Sequence, residues 1–414
     1  MSLKGWWAER KKKREEAKAL KESKAPATSA PAPAKKETAA AAASDSTVCA
    51  VDTEPIGLEA ADLGPLMPGA PEGGKINLAV YWASACGGCD VSLLDIADRI
   101  LTVKDMANIV MWPIAVDAKE KDIQALDDGE ITVCLINGAI RNEENEHMAK
   151  LLRQKSQIVV AYGSCATCGG TPALANLVPG GIDEIMDYVH NEVASTKEFQ
   201  ETYHKDKYVH PQTSTEVPEG TLTLPMLYDT VYALDQVIDV DYYLPGCPPL
   251  QASISHLLKV VVDFVYQGAP LPPKGTVAGV TSKTLCEECP REKKFERIVE
   301  VKEPYEVDTD NDKCLMDMGI ICLGPSTMGG CGAACTRVGQ PCRGCYGPSP
   351  DVQELGSSAF TAIASLFPIT DEESQMSEDD IDNIMRQIKD PLGYFYAFSM
   401  SKSLIMRAVD EGGQ

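Results

Sequence analysis

The stretch I-N-L-A-V-Y-W-A-S-A-C-G-G-C-D, residues 76–90, decides how this chain folds. Its first seven residues form a short apolar run, which predicts a buried strand over Ile76–Trp82. Small residues, Cys86 and Cys89 follow, which predicts a loop just past the strand's C-terminal end. The next text, V-S-L-L-D-I-A-D-R-I-L, reads as a helix with Asp90 placed to cap it. Strand, loop and helix in that order open a parallel α/β sheet.

The same unit recurs outward from this stretch. Strands are predicted at Ile109–Val116, Ile131–Ile136 and Gln157–Tyr162, with helical text such as N-E-E-N-E-H-M-A-K-L-L-R-Q between them. The alternation predicts a mostly parallel, flavodoxin-like sheet across residues 75–270. The segment G-S-C-A-T-C-G-G-T-P after Tyr162 carries Cys165 and Cys168. The segment P-G-C-P-P after D-V-D-Y-Y-L carries Cys247, and Leu250–Tyr266 reads as an apolar-faced helix. Cys86, Cys89, Cys165 and Cys247 thus fall at the strand ends where open α/β sheets bind ligands. Helix N-termini at that edge would favour a negatively charged group. The neighbouring glycines would let backbone N–H groups approach the sulfurs. Cys168, three residues beyond Cys165, could take its place.

Residues 286–345 hold eight more cysteines: Cys286, Cys289, Cys314, Cys322, Cys331, Cys335, Cys342 and Cys345. They sit in L-C-E-E-C-P, K-C-L-M-D-M-G-I-I-C-L-G-P, G-G-C-G-A-A-C-T and P-C-R-G-C-Y-G-P. Eight thiols divide into two sets of four, and four thiolates hold one [4Fe–4S] cluster. Glycine and proline crowd the stretch, so metal–thiolate bonds would organise it in place of long helices and strands. A disulfide scaffold suits small secreted domains, not a chain of 414 residues without an apolar leader. Two structural zinc sites would explain one C-x-x-C pair. They would not explain the cysteines waiting upstream at the sheet edge.

Composition narrows the partners. A formal charge of −23 argues against nucleic acid or anionic lipid. Fifteen cysteines point to a reducing compartment, here the cytoplasm, and no apolar run is long enough to span a bilayer. Residues 1–74 read as an extension outside the core. It opens with Trp6, Trp7 and the basic run Arg10–Arg14, then becomes an Ala/Pro/Ser/Lys tract typical of disordered linkers. Residues 4–24 have helix-forming composition and would suit a docking helix anchored by the tryptophans. Residues 195–235 read as a polar, loop-like insertion, and 371–382 as an acidic solvated face or helix start. Cys134 lies in the apolar text V-C-L-I and reads as core, Cys49 has no assigned role, and no histidine has ligand spacing.

C-G-G-C-D, G-S-C-A-T-C-G-G, P-G-C-P-P and C-L-G-P…G-C-G…C…P-C-R-G-C-Y-G-P together resemble the small subunit of [NiFe]-hydrogenases. The likeness covers roughly residues 75–410, including D-P-L-G-Y-F-Y-A-F-S-M-S-K-S, and is nearest the cytoplasmic, methyl-viologen-reducing (F420-non-reducing) branch. It implies a flavodoxin-like domain at 75–270, a mostly irregular iron–sulfur domain at 271–365 and a tail at 366–414. It also implies three [4Fe–4S] clusters. Cys86, Cys89, Cys165 and Cys247 match the proximal ligands, and Cys286, Cys289, Cys314 and Cys322 the distal ones. Cys331, Cys342 and Cys345 match the medial ligands, with Cys335 offering a fourth where well-known members have three and hold [3Fe–4S]. Two departures stand out. Cys286 replaces the histidine of many secreted relatives, and Ala85 replaces a glutamate that many place before the first proximal cysteine.

The resemblance implies an electron-transferring subunit. Hydrogen would be split at a NiFe site in a separate large subunit. Electrons would pass to an iron–sulfur or flavin acceptor subunit of the heterodisulfide reductase type. Two other readings fit the residues. One is an iron–sulfur relay or scaffold in a complex that does not oxidise hydrogen. The other is a quinone-reductase-like subunit with one cluster, against which the eight downstream cysteines count.

Overall fold

The structure, a computed structural model, describes residues 69–203, 213–368 and 377–407. The docking helix expected at 4–24, Cys49 and the first part of the acidic run lie outside the described residues. Nine strands are present among those residues: β1 (Ile76–Trp82), β2 (Ala107–Met111), β3 (Ile131–Asn137), β4 (Ile140–Asn142), β5 (Ser156–Tyr162), β6 (Ser214–Val217), β7 (Gly220–Thr223), β8 (Leu227–Tyr232) and β9 (Tyr242–Leu244).

Five of them form one sheet in the order β2-β1-β3-β5-β9, every pair parallel. Counting only these strands, this is the 2-1-3-4-5 order of flavodoxin-like sheets. The registers align Trp82 with Asn137, Asn137 with Tyr162, and Tyr162 with Leu244, so these strands end on one level. The central strands are buried on both faces, with Ile131, Ile136 and Cys134 at or near zero exposure. Helices Glu143–Lys155 and Gln251–Gln267 supply apolar cover such as Leu152 and Ile254. Each such fully buried aliphatic side chain contributes roughly 1.5–3 kcal/mol. Cys134 is wholly buried there, as its apolar setting implies.

Four local expectations change. The strand expected to reach Val116 ends at Met111, because Pro113 has no N–H for a ladder and the chain turns, Val116 N donating to Trp112 O at 2.8 Å. The helix after Cys89 breaks into Gly88–Ser92, a 3-10 segment Leu93–Arg99 and Ile100–Met106, with Ala97 at φ 55° inside the middle segment. Asp90 does not cap it. The residue is 1 % exposed, and its carboxylate accepts from Trp112 Nε1 at 3.0 Å and Asn137 Nδ2 at 2.8 Å, tying the cysteine loop to the sheet. The segment 195–235 is only partly loop. It holds most of helix Ala194–Tyr203, the β6–β7 hairpin and β8, which pairs antiparallel with β4 and buries Thr230 and Val231.

Beyond Gly268 regular structure thins out. Val277 bridges in parallel to Tyr243, and four-residue helices stand at Leu285–Glu288 and Ala334–Arg337. One apolar core nevertheless runs from Ala79 through Leu285 and Leu323 to Phe395. The end of the described chain returns to the sheet side, where Ser401 Oγ donates to Val231 O at 2.6 Å and Lys402 pairs with Asp235.

Asp241 fixes the start of β9 and with it the approach to Cys247. Its carboxylate accepts from Arg153 Nη1 at 2.5 Å, Lys274 Nζ at 2.5 Å and Val159 N at 2.8 Å. Burial alone would raise its pKa, but the Lys274, Arg153 and Val159 donors hold it below the usual value. The folded pKa lies below the unfolded one, so this stabilisation is present at neutral pH and is lost as pH falls through the acid range. Asp241→Asn is expected to cost about 1.5–3 kcal/mol in denaturant unfolding at neutral pH, and the difference from the parent should vanish in acid.

Candidate functional site

Three sets of thiols meet in the fold. The first lies along the C-terminal edge of the sheet. Cys86 and Cys89 leave β1, Cys165 sits in helix Ser164–Cys168 after β5, and Cys247 follows β9. The last two loops are stitched together, Gly163 N donating to Leu244 O and Ser164 N to Gly246 O, both at 2.7 Å. Burial, followed by the Cys247 and Cys86 thiols, pushes the Cys165 thiol up to about 12. Burial also raises Cys89, followed by Cys165, Cys247 and Cys86. Mutual repulsion of this kind marks four acidic groups sharing one small space.

Two glycines allow that crowding. Gly163 has φ +85°, and a Cβ there would stand 2.3 Å from Cys89 Sγ. Gly170 has φ +54°, and a Cβ there would stand 2.6 Å from Cys165 Sγ. Cys168 points elsewhere. It is buried, which raises its pKa, and the charges acting on it are those of Lys402 and Asp235, not the thiols of this set. Two of the helices at this edge, Gly88–Ser92 and Ser164–Cys168, have only five residues each, so the dipole expected there is small.

Cys286, Cys289, Cys314 and Cys322 form the second set. Burial pushes Cys286 up to about 12, followed by Cys322, Cys314 and Cys289. Burial likewise takes Cys322 to about 11, opposed by the N–H groups of Gly324 and Cys342. The third set is Cys331, Cys335, Cys342 and Cys345, around a cavity of ≈ 430 Å³ that Cys247 and Thr336 also line. Cys345 rises to about 12 through burial, then Cys331 and Cys247. Cys342 rises through burial, then Cys322. The third set therefore neighbours the first through Cys345 and the second through Cys342.

The donor chemistry fits iron–sulfur clusters. Each set offers four thiols. Sulfurs also receive donors from the chain: Gly88 N to Cys86 Sγ at 3.4 Å, Cys342 N to Cys322 Sγ at 3.3 Å, and Thr336 Oγ1 to Cys289 Sγ at 3.2 Å. Such bonds stabilise thiolate charge. Among the described residues no group of three or more His, Cys, Asp or Glu closes around a point tightly enough for one metal ion.

An F420-non-reducing hydrogenase iron–sulfur subunit from Archaeoglobus profundus is 36% identical to this chain over 298 residues, 70% of this chain and 88% of the relative. An F420-non-reducing hydrogenase subunit from Methanothermobacter marburgensis is 32% identical over 343 residues, 82% of this chain and 99% of the relative. The chain belongs to the family of these hydrogenase subunits.

Membership implies iron–sulfur clusters in it, in agreement with the thiol sets. The family described as NADH ubiquinone oxidoreductase, 20 Kd subunit, matches residues 86–261. That match covers the first thiol set and most of the sheet and stops before the eight downstream cysteines. Among solved structures, a chain of an NAD+-reducing [NiFe]-hydrogenase in the H2-reduced state is similar at 28% identity and a TM-score of 0.37, over 48% of this chain and 97% of that one. No described helix of this hydrogenase subunit is long and apolar enough to cross a membrane.

Sequence reasoning missed several residues that serve the sets. Glu288, inside C-E-E-C, accepts from Gly330 N at 2.6 Å and Gly332 N at 3.1 Å and so holds the loop of Cys331. Its only signal was a carboxylate between two cysteines. Thr336 and Arg291 carried none. Placement of the thiols predicts that Cys165→Ala lowers iron by about four per chain, while Cys168→Ala leaves it unchanged. Anaerobic iron analysis of both variants checks this.

Proposed function

We propose that this chain is the electron-transferring small subunit of a [NiFe]-hydrogenase, H2 + oxidised acceptor ⇌ 2 H+ + reduced acceptor. The reading is carried by three sets of four thiols in succession, the third lying between the other two. Cys86, Cys89, Cys165 and Cys247 would hold the proximal cluster, nearest the NiFe site of a separate large subunit. Cys331, Cys335, Cys342 and Cys345 would hold the medial cluster, and Cys286, Cys289, Cys314 and Cys322 the distal one. When bound, a [4Fe–4S] cluster supplies a one-electron carrier whose potential follows its ligands, hydrogen bonds and burial.

The chain's own residues do the rest. The sheet edge and Gly163 hold the first set compact. Glu288 and Thr327 steady the third, Thr327 Oγ1 lying 3.5 Å from Cys342 Sγ. The apolar core takes in Cys314, Cys322, Cys331 and Cys342 and shields these thiols from bulk water. The supporting layout is a flavodoxin-like domain at 75–270 and an iron–sulfur domain at 271–365, between an N-terminal extension at 1–74 and a tail at 366–414. The acceptor would be an iron–sulfur or flavin subunit of the heterodisulfide reductase type, and the complex would work in the cytoplasm.

Three [4Fe–4S] clusters require about twelve irons and as many acid-labile sulfides per chain. Anaerobic analysis should return those values, and about four irons, or zinc, would end the three-cluster reading. The purified lone chain should take up no hydrogen, whereas its complex with a nickel-bearing subunit should reduce viologen dyes. For the medial centre, Cys335→Ala should produce a new three-iron signal by electron paramagnetic resonance. An unchanged spectrum would remove Cys335 from the ligands.

A further inference from the structure

Arg291 is buried, 7 % exposed, two residues past Cys289. Its guanidinium donates to carbonyl oxygens alone: Nε to Thr336 O at 2.6 Å, Nη1 to Asn311 O and Lys313 O at 2.8 Å each, and Nη2 to Thr309 O at 2.9 Å. No carboxylate among the described residues comes within the 4.0 Å of an ion pair. Carbonyl dipoles satisfy the N–H groups but leave the charge unneutralised, and a buried cation without an opposite charge is costly. The thiols of the second set stand beside it along the chain, and the Lys293 ammonium also acts on that set, lowering Cys286. Cys289 lies just before Arg291, and the Lys313 carbonyl that it holds immediately precedes Cys314.

Thr336 continues the line. Its carbonyl takes the Arg291 Nε–H, and its hydroxyl donates to Cys289 Sγ at 3.2 Å. The hydroxyl also lies 3.1 Å from Ala333 O, but that oxygen already receives Arg337 N at 3.0 Å. With a thiolate as the competing acceptor, the charge-assisted bond is the stronger one. Cation, peptide, hydroxyl and sulfur thus stand in series, and Thr336 belongs to the segment of the other downstream set.

We propose that Arg291 and Thr336 set the electron affinity of the centre held by Cys286, Cys289, Cys314 and Cys322, Arg291 as its buried counter-charge and Thr336 as a donor to the Cys289 sulfur. The inference rests on reading that set as a [4Fe–4S] ligand shell. One electron entering the shell adds one negative charge and breaks no bond. A fixed cation and a hydrogen-bond donor stabilise the reduced form more than the oxidised form. Both are positioning residues.

The test is a redox titration of the anaerobically purified complex, followed by electron paramagnetic resonance, with iron measured on each sample. Thr336→Val removes the donor at constant shape. It should lower the reduction constant of one centre roughly three- to tenfold, tenfold being about 59 mV for one electron. The affected centre should be the one lost in Cys289→Ser. Thr336→Ser should restore the parent value, and Arg291→Gln should shift the same centre further down than Arg291→Lys. If Arg291→Gln fails to retain iron, the Thr336 pair decides. Full iron with no shift in Thr336→Val overturns the proposal and leaves the relay standing. Parent protein with about four irons or with zinc overturns the relay itself.

Discussion

Twelve thiols are gathered into three crowded sets, half of them buried, and a buried thiolate is poorly solvated. Burial is the leading cause of the raised pKa wherever one is resolved in these sets, and crowding by neighbouring thiols follows at Cys89, Cys165 and Cys286. The sets can carry negative charge only if positive charge sits among them or close by. In the proposed reading iron would supply that charge, and cluster binding would then be coupled to folding. That coupling would account for a cysteine-rich stretch with few long helices or strands.

The three sets are interlocked rather than strung along the chain. Glu288 comes from the motif of Cys286 and Cys289 but braces the loop of Cys331. Thr336 comes from the segment of Cys335 but donates to Cys289. The backbone N–H of Cys342 points at Cys322 Sγ. The two downstream sets therefore borrow part of their support from each other. The same interlocking brings residues 391–403 back to the sheet, where Ser401 and Lys402 meet Val231 and Asp235.

Much of the sheet was legible because its signals are local. Apolar runs of strand length placed β1, β3 and β5 to within one or two residues, and turn residues marked the loops that follow β1 and β5. The misses have local causes too. Pro113 ended β2 early, and Ala97 broke an apparently continuous helix. Asp90 looks like a cap in one dimension, yet its partners Trp112 and Asn137 come from elsewhere in the sequence. The short strand β8 was hidden because its partner β4 lies far away along the chain.

By itself the sequence determined the chemistry: cysteines at strand ends and in paired C-x-x-C motifs, in numbers that suit iron–sulfur clusters and a spacing shared with hydrogenase subunits. Spacing along the chain reports which residues can ligate, because ligand type and loop position are local properties. It could not choose between Cys165 and Cys168, which share one short helix. Tertiary structure turned one toward Cys86, Cys89 and Cys247 and the other toward Lys402 and Asp235. It also decided which charges and donors stand beside each sulfur, because Arg291, Thr336 and Glu288 act on atoms that only folding brings within hydrogen-bond reach.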